Sequence, residues 1–225
     1  MDSEKPNQLF SSVSFISKND INTVIQALHR NFSFAEYLAY ENGTDTSYEL
    51  IYGELVAMAQ PTGQHADIAD LNDTYREYIK QRSLALSKQG TIAIQIPPVE
   101  GKIARIPDVC VVTAEQWQMK TRSAAIALTE PPPLLVVEIV STNWRDDYLK
   151  KLADYEALGI PEYWIVDYLA LGASRYIGTP KLPTISVYQL SEGEYQVWQF
   201  RGSERILSAT FPELMLTAEQ VFVGR

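Results

Sequence analysis

The spacing of apolar residues changes character several times along the chain, and each change predicts an element. Residues 1–31 are largely polar, and Ile21, Val24, Ile25 and Leu28, at three- and four-residue spacing, predict one helix in an N-terminal extension to a single domain over 32–225. A short helix is expected around Phe34–Tyr40. Glu49-Leu50-Ile51 and Glu54-Leu55-Val56 flank Tyr52-Gly53, and because glycine tolerates positive φ, Tyr48–Met58 reads as a hairpin. After a break at Pro61–Gly63, Ile68, Leu71, Tyr75, Tyr78 and Ile79 recur at helical intervals, predicting a helix from His65 to about Ser87.

Beyond it, Thr91–Ile96 and Ile106–Val112 read as strands separated by a turn at Pro97–Lys102. Residues 114–133 are a connection with at most a short helix, closed by Pro131-Pro132-Pro133. Leu134–Val140 is almost continuously apolar, the pattern of a strand covered on both faces. A helix over about Arg145–Leu158 follows, stopped by Gly159 and Pro161, with Leu149, Leu152 and Ala153 as its buried stripe. Glu162–Tyr168 is a second buried strand. Thr184–Leu190 and Tyr195–Phe200 form a hairpin across Ser191–Glu194, and Phe211–Phe222 is a loop with a short helix. This order predicts an α/β fold with a mixed central sheet, helices on its faces, and extra hairpins towards the N- and C-terminal ends.

Composition narrows the setting. The 225 residues suffice for a core without staples, and 46% hydrophobic with 21% charged residues is a globular balance. The lone Cys110 rules out an internal disulfide and suits a reducing compartment. The opening residues lack a signal-peptide pattern and no apolar run is long enough to span a bilayer, so a cytoplasmic protein is expected. A net charge of -9 argues against a broadly basic nucleic-acid binder. The acidity is uneven: residues 63–160 hold 11 Lys+Arg against 13 Asp+Glu, whereas the rest holds 8 against 15.

Glu138 is the most informative residue. A carboxylate inside a doubly covered strand is costly unless paired or bound to a metal; a structural ion pair or a water-facing edge position is the plainer reading. Asp108, after Pro107 at the head of the other strand, reaches the same ion if the two strands are neighbours. Taken alone, it is an ordinary turn aspartate. Lys151 shares a helix face with Asp147 and Tyr155, and its residue pattern by itself favours a solvated lysine. His65 near a helix start and Glu54 after a tight turn are weaker candidates. Two histidines and one cysteine make a zinc site improbable. No phosphate-binding glycine loop and no Gly-x-Ser-x-Gly elbow is present.

The series Tyr48–Val56, His65, Arg105-Ile106-Pro107-Asp108-Val109, Val136-Val137-Glu138-Ile139-Val140-Ser141, Asp147–Leu152, Tyr155 and Gly159–Asp167 resembles the restriction-endonuclease family often called Uma-two, a branch of the PD-(D/E)XK nuclease-like fold. The resemblance runs from about Ser33 to Leu216. It implies a Mg²⁺ (or Mn²⁺) dependent DNA endonuclease, with Asp108 and Glu138 as metal ligands and Glu54 and His65 as neighbours. In that fold a lysine two residues after the second acid assists the attacking water. Here that position is Val140, and the resemblance points to Lys151 as the substitute. A homodimer is expected, because cutting both strands of a duplex is commonly done by two copies; Trp198 and Phe200 are the aromatics suited to its interface. The competing readings are a binding or assembly protein that keeps the fold without catalysis and, with less support, a two-carboxylate glycoside hydrolase.

Overall fold

The structure is a computed structural model that describes residues 31–41, 43–44, 46–59, 63–69, 79, 84–88, 92–97, 103–119 and 125–223. The helical pattern of Ile21–Leu28 and most of the turn at Pro97–Lys102 lie outside the described residues. The first helix, α1 (Phe34–Leu38), begins at a capping box: Ser33 Oγ accepts from the Glu36 amide while the Glu36 carboxylate accepts from the Ser33 amide. The hairpin follows as β1 (Tyr48–Ile51) and β2 (Glu54–Ala57), turning through Tyr52 and Gly53 at positive φ.

Downstream come α2 (Gly63–Ala69), β3 (Leu84–Lys88), β4 (Ala93–Gln95), β5 (Ala104–Arg105), β6 (Val109–Thr113), α3 (Ala114–Gln118), β7 (Ala125–Ile126) and β8 (Leu135–Ile139). A helix then opens with a π-turn over Asp146–Lys151 and continues as α4 (Leu152–Leu158), capped by Gly159 in the left-handed conformation (φ +79°). The chain ends through β9 (Glu162–Asp167), α5 (Ser174–Ile177), β10 (Thr184–Ser191), β11 (Glu194–Phe200) and α6 (Ala218–Val223).

Two mixed sheets result. The larger has the order β11-β10-β9-β8-β6-β3, antiparallel throughout except for the parallel β8–β9 pair. The smaller runs β2-β1-β5-β4-β7, parallel only between β4 and β7. The α/β class holds, but neither hairpin is a mere appendage. The C-terminal one forms the edge of the central sheet, and the N-terminal one forms the edge of the second.

One expected element is wrong in type. Leu84–Lys88, assigned to the end of the long helix, is a strand paired antiparallel with β6, Leu84 opposite Thr113. Leu84-Ala85-Leu86 alternates as readily as it fits a helix, and the open edge of β6 decides the matter.

The central sheet separates two cores. One face carries Val109, Val111, Leu135, Val137, Ile139, Trp164 and Val166, covered by Ile68 and Ala69 of α2 and by Ala218 and Val221 of α6. The other carries Cys110, Val112, Val136, Val140, Tyr163 and Ile165. It is covered by Tyr148 and Tyr155 from the helix after β8 and by Ile92, Ile94, Ile96 and Ile126 from around the smaller sheet. Side chains alternate along β8, so Glu138 falls on this second face, beneath the helix.

Candidate active site

β6 and β8 run antiparallel with Val109 opposite Val137 and Cys110 opposite Val136. Continued by one residue, that register sets Asp108 opposite Glu138, where cross-strand Cβ atoms typically lie ~5 Å apart. Asp108 is fixed from two sides. Its Oδ2 accepts a 2.7 Å hydrogen bond from the Ile139 amide, and its Oδ1 lies 3.0 Å from His65 Nε2. The first bond ties the aspartate to the strand bearing the glutamate; the second ties it to α2.

Glu138 is 2% exposed, so its carboxylate depends on protein partners. Lys151 Nζ donates to Oε2 at 2.8 Å and Tyr155 Oη donates to Oε1 at 2.7 Å. Lys151 Nζ also lies 3.3 Å from Asp147 Oδ1. Both donors descend from the helix above β8, one from the last residue of the π-turn and one from α4. An ammonium thus reaches Glu138 from the layer above rather than from the strand, where residue 140 is valine. Lys151 is not the solvated lysine that its residue pattern favoured, for its side chain is 13% exposed.

The electrostatics follow from burial and crowding. Burial raises the Glu138 pKa, the ammonium of Lys151 pulls it down, and the charges of Asp108 and Asp147 push it up again, leaving it well above the usual carboxylate range. Asp147 is raised on the same grounds: burial first, opposed by Lys151, reinforced by Asp108 and Asp146. Burial alone would lower Lys151, but Glu138, Asp147, Glu49 and Asp108 together hold it well above its ordinary value. The 2.8 Å contact and the surrounding acids keep the ammonium charged. One ammonium thus stands among the carboxylates of Glu138, Asp147 and Asp108, a formal deficit of positive charge.

A divalent cation fits that deficit. The donors are oxygens, which suit a hard ion such as Mg²⁺. Among the described residues no three His, Cys, Asp or Glu side chains are grouped so as to hold a metal ion between them. Mg²⁺ does not need one, since it usually takes one or two carboxylates and fills its sphere with water and phosphate. The residues that would hold such an ion are Asp108 and Glu138.

A second buried network braces the first. The Arg105 guanidinium, 4% exposed, meets Asp154 at 2.8 Å and both Glu49 and Asp146 at 3.3 Å. Glu49 Oε1 also accepts from the Ile106 amide at 3.0 Å. One side chain of β5 therefore joins β1 to both segments of the helix that carries Lys151. These acids were not singled out by spacing, although Glu49 and Arg105 both lie inside the motifs that carried the resemblance.

Asp108, Glu138, Lys151 and His65 come together. Glu54 does not: it is exposed on β2, and no hydrogen bond or ion pair among the described residues joins it to them. It shares a strand face with Glu49, which lies nearer the cluster, away from the turn. The inward face of the helix also differs from expectation. Leu149 is 42% exposed and Ala153 is exposed, while Asp147, Tyr148 and Tyr155 are buried. Of the expected stripe only Leu152 packs against the core; a helix roofing a polar site turns polar residues inward, so apolar spacing alone does not mark its buried side.

No curated protein matches the chain. A crystal structure described as a "putative nuclease belonging to DUF820", from Anabaena variabilis, superposes with a TM-score of 0.63 at 17% identity, covering 86% of this chain and 98% of that one. At that identity the likeness is one of fold, and the fold is nuclease-like. The model of the Uma2 family, "Putative restriction endonuclease", aligns with residues 34–219, and the chain belongs to that family.

Proposed function

We propose that the protein is a divalent-metal-dependent DNA endonuclease whose site is Asp108, Glu138 and Lys151, with His65 beside them. The observation that carries this reading is the Lys151–Glu138 contact: the cation that the strand lacks reaches the same carboxylate from the neighbouring helix. Asp108 and Glu138 are the ligands for Mg²⁺ or Mn²⁺. Bound there, the ion supplies positive charge to the scissile phosphate and makes a water more acidic. Lys151, held between Glu138 and Asp147, orients the attacking water and balances charge developing on the phosphate. His65 fixes the rotamer of Asp108, and Tyr155 fixes that of Glu138. Glu54 has no part in this reading.

A homodimer in the cytoplasm is the setting it implies. β11 is an edge strand with Val197 50% and Trp198 44% exposed, a surface open to a second copy. Phe200, 8% exposed and packed in the core, is not available for that contact. Among the described residues no helix is long and apolar enough to cross a membrane.

A second reading has one observation in its favour. Both oxygens of Glu138 already have protein donors, as they would in a site retired to a structural ion pair. Calorimetric titration with Mg²⁺ and Mn²⁺ separates the two. The nuclease reading expects saturable binding that is lost in Asp108→Asn and Glu138→Gln. Absence of binding to the intact protein favours the non-catalytic reading.

A further inference from the structure

Beside the carboxylates lies a surface of opposite character. In a chain of net charge -9, residues 139–145 and 168–191 contain no acid; their charged residues are Arg145, Arg175 and Lys181. The residues that leave the parallel strands β8 and β9, 140–145 and 168–183, emerge at the same end of the central sheet, the end at which Glu138 and Asp108 lie. Two aromatic rings join them: Trp144 and Tyr176 have centroids 6.1 Å apart, and Tyr176 stacks on the buried Tyr148 at 4.8 Å.

On this aromatic base sit two guanidiniums. Arg145 lies 4.4 Å from the Trp144 ring centroid, and Arg175 lies 4.6 Å from that of Tyr176. Both arginines are exposed, and neither has a carboxylate partner among the described residues. That sets them apart from Arg105, which has three such partners. Stacking fixes a guanidinium's plane while leaving its N–H edge free, the arrangement suited to a phosphate oxygen pair. Exposed Ser141, Thr142 and Asn143 lie between this stripe and β8 and add neutral donors.

We propose that Arg145 and Arg175, placed over the rings of Trp144 and Tyr176, grip the DNA backbone and lead it to the carboxylate site. The proposal rests on the nuclease reading for its substrate and explains how an acidic protein holds a polyanion: the contact is confined to two segments that carry no acid. Arg145 is two residues from Asp147 in the helix that also carries Lys151, so a strand held there passes next to the reacting groups.

The test is fluorescence-anisotropy binding of a labelled DNA duplex to the full chain across a salt series, in EDTA and again in Ca²⁺. Arg145→Ala/Arg175→Ala should weaken binding about 10-fold and make the slope of log K against log[salt] shallower by about 2, one phosphate contact per arginine. Arg145→Lys/Arg175→Lys should keep most of the slope, because the charges remain. Lys150→Ala, whose ammonium is engaged by Asp146, should leave it unchanged. Circular dichroism confirms that the variants fold. An unchanged slope in the double alanine variant overturns the proposal, as does an intact protein that binds no duplex in either buffer. If the arginine-dependent slope appears but plasmid is never cut, the surface stands and the nuclease reading falls. If plasmid is cut and the slope does not depend on the arginines, the nuclease reading stands and the surface falls.

Discussion

Lys151 and Lys150 are neighbours in sequence with opposite surroundings. The Lys150 side chain is 65% exposed and pairs with Asp146, four residues earlier, an exposed contact worth at most ~1 kcal/mol. The Lys151 side chain is 13% exposed and faces Glu138 and Asp147. Under the proposed mechanism Lys151→Ala lowers Mg²⁺-dependent cleavage by ~100-fold or more, the scale of losing one charge-stabilising donor. Lys150→Ala stays near the intact protein. Equal small losses in both, measured on the same DNA, would remove Lys151 from the chemistry. Tyr155→Phe is the finer probe. It deletes one donor to Glu138 while keeping the ring among Tyr163 and its neighbours. It should cost ~1–2 kcal/mol in a denaturant titration and reduce cleavage less than Lys151→Ala does.

At the level of elements, Arg105 ties the smaller sheet to the helix above the site. Replacing it by Met leaves Glu49, Asp146 and Asp154 without their shared cation, and breaking a buried ion network in this way typically costs ~3–5 kcal/mol. Chemical denaturation of Arg105→Met should show that loss; a change below ~1 kcal/mol would mean that the network does not brace the fold. The strands β8 and β9 were readable because long apolar runs covered on both faces have few other interpretations. That Glu138 needs a partner was readable because an acid in such a run demands one, and the partners are Lys151 and Tyr155. The inward face of the helix was not readable, since its buried residues are Asp147, Tyr148 and Tyr155 and the apolar signal points elsewhere. Nor was β3, whose short alternating sequence takes its conformation from the edge of β6. The Arg105 network also escaped notice: it joins residues 49, 105, 146 and 154, and no local pattern links positions so far apart.

At the scale of the whole molecule, the number of copies that act together and the chemistry of the site are tested separately. Sedimentation equilibrium at micromolar concentration should show a dimer, and Trp198→Asp on the exposed edge strand β11 should shift it to monomer. A monomer throughout the range contradicts the assembly without touching the site. The site is tested most directly by nicking of supercoiled plasmid DNA by the intact protein, with Mg²⁺ and with EDTA, beside Glu138→Ala. Conversion to open-circular and linear forms is expected with Mg²⁺ or Mn²⁺ alone, abolished by EDTA and by the substitution. Cleavage that persists unchanged in a folded Glu138→Ala protein, or intact plasmid under every divalent condition, would contradict it.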